Sequence, residues 1–207
     1  PPGKGQEAGA QPFARRVNVI LDECGFPLCK GGVMAGNPKW CLSLAEWRGC
    51  FAEWMRAVSA DDLLNSTIFF DFRPLAGDWA LPMALKRWLL QMAADNPLFL
   101  RFMAANALRS GPPLGRIRDF VVDRETGQLE LKRDGSRPFV DVARIYALAL
   151  GLPETSTAER LRAAGAVLRW DSRECNALVE ALDFIQQLRL RRQRVPGSPA
   201  NRVSPDD

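Results

Sequence analysis

The sequence has no histidine among its 207 residues. Without an imidazole, this chain cannot by itself form a Ser-His-Asp triad, a Cys-His nucleophile pair or a histidine-ligated metal site. Acid–base chemistry would have to rest on carboxylates, lysines or the single tyrosine, Tyr146. The sequence therefore offers no catalytic residues of these classes, and we assign none.

Cysteine is also scarce, with five residues in the chain. An odd number argues against the disulfide framework of a small secreted protein. The pair Cys24 and Cys29 has a loose spacing for zinc, and no histidine is present to complete a site. We therefore expect reduced thiols and no metal site.

Long hydrophobic runs are absent. No apolar stretch approaches the roughly 18–20 residues that span a bilayer. The first residues, Pro1 to Gln6, lack the apolar core of a signal peptide. We therefore expect a cytoplasmic protein that does not enter a membrane.

The formal net charge is +4, and part of the excess is a run of arginines near the C-terminus. The run consists of Arg189, Arg191, Arg192 and Arg194. It could contact nucleic acid or an acidic partner, or it could form the last turns of a helix, where cations interact favourably with the dipole. The helix explanation is favoured, and nucleic acid is the least favoured partner.

The spacing of apolar residues and helix caps predicts a mainly α protein, a helical bundle of about seven to eight helices with one small β-hairpin. Ser43 with Glu46 forms a capping-box pattern, and Asn96 precedes a proline at a helix start. The alternating residues near 128–132 predict a strand that pairs with 117–122 around a turn.

The composition also suggests boundaries along the chain. Residues 1–11 and 195–207 are rich in glycine, proline and polar side chains, and we expect both to be disordered. Residues 12–40 combine a short helix with a long glycine- and proline-rich loop. The helical domain is expected to span 41–194.

Two acids and one arginine interrupt the apolar run that leads from Ile68 to Asp78. Buried charges are costly unless they are paired or used. We expect Asp71 and Arg73 on one helix, where residues two apart face different partners. They would either join neighbouring helices as structural charges or line a cleft for a polar or phosphorylated ligand. Asp78 fits the cap of the following helix.

A second apolar helix carries Asp141 and Arg144. Residues three apart share a helix face, so the two side chains would either pair with each other or line a pocket. Lys132, just before this helix, could point into the same pocket. Lysine and arginine at the start of a helix suit an anionic ligand.

Several segments together carry a resemblance to a known family: CGFPLCKGGVMAGNPKW, LAEWRGCFAEWM, STIFFDFRPLAGD, LELKRDGSRPFVDVARIYAL and TSTAERL. With them the chain resembles the family named "putative nucleotidyltransferase substrate-binding domain", from about Phe13 to Arg192. The resemblance implies the helical domain that follows a nucleotidyltransferase domain in bacterial signal-transduction proteins. Such proteins often also carry CBS or cyclic-nucleotide-binding modules.

A more distant similarity is to enzymes that uridylylate or adenylylate regulatory proteins. The segment from Arg73 to Asp78 is similar to their R-x-x-A-G-D motif, and the segment from Lys132 to Val142 is similar to a second motif. This similarity implies that Arg73, Asp78, Lys132 and Asp141 face a nucleotide or a protein substrate.

The chain departs from the family at its catalytic motifs. The Gly-Ser turn and the paired acids D-x-D, which hold magnesium and a nucleoside triphosphate in the full-length family, are not found here. We therefore expect 12–40 to be the remnant that joins the missing catalytic domain, and we expect no nucleotide transfer by this chain alone.

Our leading hypothesis is a non-catalytic domain that binds the substrate or partner of a nucleotidyltransferase. The candidate ligand-binding residues are Asp71, Arg73, Asp78, Lys132, Asp141 and Arg144. The alternative is a helical interaction or dimerisation module without a small-molecule site, which would present an exposed aromatic patch instead of a charged pocket.

Overall fold

The computed structural model describes residues 4–109, 120–195, 197 and 201–205. Within these residues it contains eight α-helices and one two-stranded antiparallel sheet. The prediction of a mainly α protein with one small sheet is confirmed. The chain divides into two compact units, Pro1–Trp54 and Met55–Asp207, which we call the N-terminal and the C-terminal unit.

The N-terminal unit begins with helix α1, Lys4–Glu23. This helix starts before Pro12, so residues 4–11 are helical where we expected disorder. A short 3₁₀ helix, Pro38–Trp40, follows, and α2 spans Leu44–Ala57 across the boundary between the units. The predicted capping box is confirmed, because the backbone N–H of Ser43 donates to the Glu46 carboxylate at 2.7 Å.

The glycine-rich loop of the N-terminal unit is held against α1. The backbone N–H of Gly36 donates to Asn18 Oδ1 at 2.8 Å, and Arg15 Nε donates to the carbonyl of Gly36 at 3.3 Å. Nearby, the Trp40, Trp47 and Trp54 rings lie within 6.5 Å of one another, centroid to centroid. These contacts make the tryptophans part of a packed cluster.

Adding one methyl group at Gly36 should weaken the N-terminal unit. A Cβ there would lie 2.7 Å from Asn18 Oδ1 and 3.1 Å from the backbone Cα of Arg15. We expect Gly36→Ala to lower the free energy of unfolding by about 1–3 kcal/mol. In Gly49→Ala, the matched control, the new Cβ meets nothing within 4 Å. That helical substitution should stabilise by about 0.5–1 kcal/mol in urea titrations. Equal effects of the two would contradict the argument.

The C-terminal unit contains six further helices, a short π-helical turn that we call the π-turn, and two short strands. Their bounds are α3 Ala60–Phe69, α4 Ala80–Ala94, α5 Pro97–Ala107, β1 Leu129–Glu130, the π-turn Leu131–Ser136, α6 Arg137–Ala149, α7 Thr157–Leu168, α8 Ser172–Gln193 and β2 Arg202–Val203. The predicted cap at Asn96 is confirmed, because its side chain accepts the N–H of Phe99 at 3.0 Å.

Helix α6 lies at the centre of this unit and packs against α4, α5 and α7. Small buried residues on its inner face, Ala143 and Ala147, allow the neighbouring helices to approach closely. Ala143 contacts Leu161 of α7 and Val179 of α8 in one apolar cluster. Since α6 is packed on several sides, the polar side chains that it carries have defined positions.

The sheet has a different partner strand from the one expected. Strand β1 pairs with β2, so that Leu129 lies opposite Val203, near the end of the chain. The turn before β1 does form, because the N–H of Gly127 donates to the carbonyl of Asp123 at 2.8 Å. Residues 117–119 of the predicted first strand lie outside the described residues. The expectation of disorder over 195–207 does not hold for β2, where Val203 is buried against β1 and the π-turn.

Candidate functional site

Asp71 lies just beyond the end of α3, and not on the helix as we expected. Helix α3 ends at Phe69, and Phe70 is its C-cap. The next residues lead into Arg73-Pro74, and a residue before proline avoids the α-helical region. This early end leaves the Asp71 carboxylate free to meet helices α6 and α7.

The Asp71 carboxylate joins two buried arginines. Its Oδ2 accepts hydrogen bonds from Arg144 Nη2 at 2.7 Å and from Arg144 Nε at 3.0 Å. Its Oδ1 accepts one from Arg160 Nη2 at 2.6 Å. Burial alone would raise the pKa of Asp71, but the hydrogen bonds and charges of the two arginines lower it below the usual range.

Lys86 of α4 lies beside this carboxylate network. It is only 5% exposed, and its Nζ donates to the carbonyl of Phe70 at 2.9 Å. Burial, aided by the positive charges of Arg160 and Arg144, lowers the pKa of Lys86 to about 8, while Asp71 acts in the opposite direction. The loop after α3 is therefore tied to α4, α6 and α7 by charged groups.

Asp141 extends the network along α6. Arg144 Nη1 donates to Asp141 Oδ1 at 3.1 Å, so the predicted pair within the helix forms. Arg137, one turn earlier, donates to the other Asp141 oxygen at 3.3 Å. The ion pairs thus continue from Arg160 through Asp71, Arg144 and Asp141 to Arg137, at the start of α6.

Arg137 also lines an open groove at the junction of the π-turn, α6 and α8. The groove has a volume of about 560 Å³. Its lining residues are Glu130, Lys132, Arg133, Ser136, Arg137, Val140, Gln186 and Arg189. Four of these side chains are cationic and one is acidic, so we call this feature the cationic groove.

Lys132 and Arg189 line the cationic groove from two different elements, the π-turn and α8. Lys132 is exposed on the π-turn, where we had expected the end of a strand. Arg189 of α8 donates to Asn201 Oδ1 at 3.0 Å and to Gln186 Oε1 at 2.8 Å. It reaches Ser136 Oγ at 3.4 Å. All three acceptors are neutral, so Arg189 keeps its positive charge uncompensated by these contacts.

A family model described as "Putative nucleotidyltransferase substrate binding domain" matches residues 97–207, more than half of the chain. The chain belongs to this family. A second model, "Putative nucleotidyltransferase DUF294", matches residues 2–61. The searches of curated proteins and of solved structures gave no match.

The match to the substrate-binding domain includes every residue that lines the cationic groove. It also includes Asp141, Arg144 and Arg160. Asp71 and Lys86 lie between the two matched segments. The groove and most of the ion-pair network therefore belong to the part of the chain that defines the family.

Two of the six sequence-predicted site residues do not join either feature. Arg73 is exposed and makes no hydrogen bond or ion pair with the residues that the structure describes. Asp78 is exposed, and its Oδ1 accepts the N–H of Ala80 at 2.8 Å, which fits the predicted role at the start of α4. The structure thus brings together Asp71, Asp141 and Arg144, and places Lys132 in the neighbouring groove.

Three residues of the ion-pair network and the cationic groove were not predicted as site residues, although the sequence around two of them indicates a buried charge. Arg160 lies among Leu161, Ala164 and Gly165 on the buried face of α7. Lys86 shares the buried face of α4 with Leu89 and other apolar residues. A cation at a core position of the helical period predicts a buried partner. Arg189 carried no such signal, because it stood in a run of arginines.

The described part of the chain holds no group of three or more His, Cys, Asp or Glu side chains that could bind a metal ion. No described helix is long and apolar enough to cross a membrane.

Proposed function

We propose that the C-terminal unit binds the anionic substrate of a nucleotidyltransferase and does not itself catalyse the transfer. The cationic groove is the observation that carries this proposal. Its lining combines Lys132, Arg133, Arg137 and Arg189 with a single acid, Glu130. A concave site of this charge attracts anions and concentrates them near its walls.

The ion-pair network has a different role in this proposal. Asp71, Asp141 and Arg144 satisfy one another's charges, so they are positioning residues that hold α6 and carry no ligand themselves. Arg137 connects the network to the groove through Asp141. Arg73 and Asp78 are exposed and would serve as contacts for a protein substrate.

The same proposal extends to the identity of the substrate and to the partner domains of this chain. The substrate would be a nucleotide or a nucleotide-modified protein, as in uridylyltransferase-like signal transduction. The nucleoside triphosphate and magnesium would be handled with a nucleotidyltransferase domain, and CBS or cyclic-nucleotide-binding modules would be further partners. The family membership of the chain supports the nucleotidyltransferase context, and the sequence resemblances described above suggest the remaining statements.

Thermal unfolding with nucleotides tests the proposal. We expect a higher unfolding midpoint with millimolar ATP, GTP, CTP or UTP, each with magnesium. A ligand at about 100 times its dissociation constant should stabilise by about 2.7 kcal/mol. The shift should disappear in Lys132→Glu, which reverses a charge in the groove. It should persist in Arg101→Glu, a matched charge reversal at an exposed position of α5 outside the groove. Equal shifts in both variants would contradict the location of the site.

One observation favours a second candidate function, a module that docks onto another protein. Leu75, Trp79 and Leu81 are 80%, 59% and 54% exposed near the start of α4. Exposed apolar side chains that cluster along the chain are typical of interaction surfaces. If no nucleotide shifts the midpoint, this surface becomes the leading candidate, and Trp79→Ala should then weaken capture of the protein partner.

A further inference from the structure

We infer that the cationic groove binds phosphate groups, that Arg189 is the side chain that contacts them, and that the C-terminal segment Asn201–Val203 holds Arg189 in place. This inference rests on the proposed function and adds to it the chemical class of the ligand. Neither Arg189 nor Asn201 stood out from the sequence as a ligand-binding residue.

The hydrogen bonds of Arg189 leave one end of its guanidinium group available. A guanidinium has five N–H donors. Nε donates to Asn201 and Nη1 donates to Gln186 and Ser136, whereas Nη2 has no acceptor among the described residues. The protein thus fixes the orientation of the group while two N–H donors on Nη2 remain for a ligand.

The charge of Arg189 differs from that of the buried arginines nearby. Arg144 and Arg160 both meet the Asp71 carboxylate, whereas no described carboxylate pairs with Arg189. A half-buried cation that has lost water contacts and gained only neutral partners is stabilised by an anion. Arg189 is therefore a positioned cation that has no counter-ion among the described residues.

The other cations of the groove are partly compensated. Arg133 pairs with Asp134 at 2.6 Å, and Arg137 shares Asp141 with Arg144. Lys132 is exposed and has no ion pair among the described residues. Lys132 and Arg189 are therefore the two positive charges of the groove that a ligand would meet.

The C-terminal segment is anchored at Asn201 and directly after it. The carbonyl of Asn201 accepts the N–H of Leu131 at 2.7 Å, and β2 pairs with β1 directly after it. Arg192 Nε donates to the carbonyl of Arg202 at 3.0 Å. Because the backbone of this segment is fixed by strand, π-turn and α8 together, the Asn201 side chain can hold Arg189 without moving.

A phosphate group fits this site better than a carboxylate does. Phosphate offers several charged oxygens, so it can accept from Nη2 and interact with Lys132 at the same time. A volume of about 560 Å³ admits a chain of phosphates or a nucleotide. Free polyphosphate and the triphosphate of a nucleotide share this chemistry, and the experiment must separate them.

Titration calorimetry on the full chain tests the inference, with inorganic tripolyphosphate, citrate and the four ribonucleoside triphosphates as probes at one fixed ionic strength. We expect tripolyphosphate to bind at least about tenfold more tightly than citrate, because charge-assisted hydrogen bonds to phosphate are several and directional. Tighter binding of one nucleoside triphosphate than of tripolyphosphate would identify a nucleotide as the source of the phosphates.

Four variants locate the contact. Arg189→Lys keeps the charge but loses the three tethers and the Nη2 donors, so affinity should fall by about tenfold or more. Arg191→Lys, the same change at an exposed position of α8, should leave affinity unchanged. Asn201→Ala should weaken binding through Arg189. Asn201→Asp is a second test that keeps an acceptor and adds a competing carboxylate, so it should weaken binding with no loss in the unfolding midpoint.

The outcomes separate this inference from the proposed function. If the wild-type chain binds tripolyphosphate and Arg189→Lys binds it equally well, the role of Arg189 is wrong and the proposed function stands. If citrate binds as tightly as tripolyphosphate, the choice of phosphate is wrong. If the wild-type chain binds none of the probes, the proposed function is overturned together with the inference.

Discussion

Replacing Asp71 with asparagine should remove a large part of the stability of the C-terminal unit. Arg144 and Arg160, with side chains 8% and 4% exposed, would lose the carboxylate that they share. Removing one partner of a buried ion pair costs about 3–5 kcal/mol, and we expect about 3 because Asp71 is a quarter exposed. Urea unfolding at neutral pH measures the loss.

The matched control is Asp183→Asn, an exposed carboxylate on α8, which should change the free energy of unfolding by less than about 0.5 kcal/mol. The difference between the two variants should also depend on pH. Because the folded-state pKa of Asp71 is lowered, its contribution is present above the unfolded pKa of about 4 and is lost as the pH falls through the lowered value. Equal destabilisation by both variants would show that the shared carboxylate is not a structural centre.

Replacing Lys86 with methionine should abolish a rise in stability that the wild-type protein shows in mildly alkaline solution. The pKa of Lys86 is lowered to about 8 in the folded protein, whereas an unfolded lysine titrates near 10.4. Between these values the unfolded chain binds more protons than the folded one. The free energy of unfolding therefore rises with pH from about 8 to about 10.4.

The size of this rise in the free energy of unfolding follows from the difference between the folded and the unfolded pKa of Lys86. The full difference corresponds to about 3 kcal/mol, of which we expect about 2 kcal/mol after solvent screening. Unfolding of wild type, Lys86→Met and the exposed control Lys132→Met is measured at several alkaline pH values. The free energy of unfolding of the wild type should rise with pH relative to that of Lys86→Met, while Lys132→Met should follow the wild type. Parallel curves for all three would refute the assignment to Lys86.

The polar centre of the helical unit could be predicted from sequence because charges at apolar positions are expensive. Asp71, Asp141 and Arg144 were singled out for that reason, and they meet in the structure. The predicted position of Asp71 in the secondary structure was wrong. We expected Asp71 on a helix, but the helix ends before it, and Arg73 two residues later points to no partner among the described residues.

The partner of strand β1 illustrates what local patterns leave open. Alternation marked Leu129 as part of a strand, and a turn was evident just before it. The actual partner, Arg202–Val203, has only two residues and lies far along the chain. A strand of two residues has no period, so only tertiary packing of Val203 against Leu129 and Leu131 selects it.

The cationic groove contains one residue that could be predicted from the local sequence and one that could not. Lys132 was predicted as a ligand-binding residue from its place before a helix. Arg189 was interpreted as part of a solvated helix end, because arginines in a last turn are common for reasons of the helix dipole alone. Its contacts with Ser136 and Asn201 join segments distant in sequence, so they depend on the fold and not on any local pattern.

The pairing of β2 with β1 has a practical consequence for the study of this protein. Asn201, Arg202 and Val203 form part of the surroundings of the groove, because Asn201 holds Arg189 and the next two residues pair with β1. A charged group introduced directly beside this segment would therefore lie next to the groove. Its charges would then compete with, or add to, those of any ligand under test.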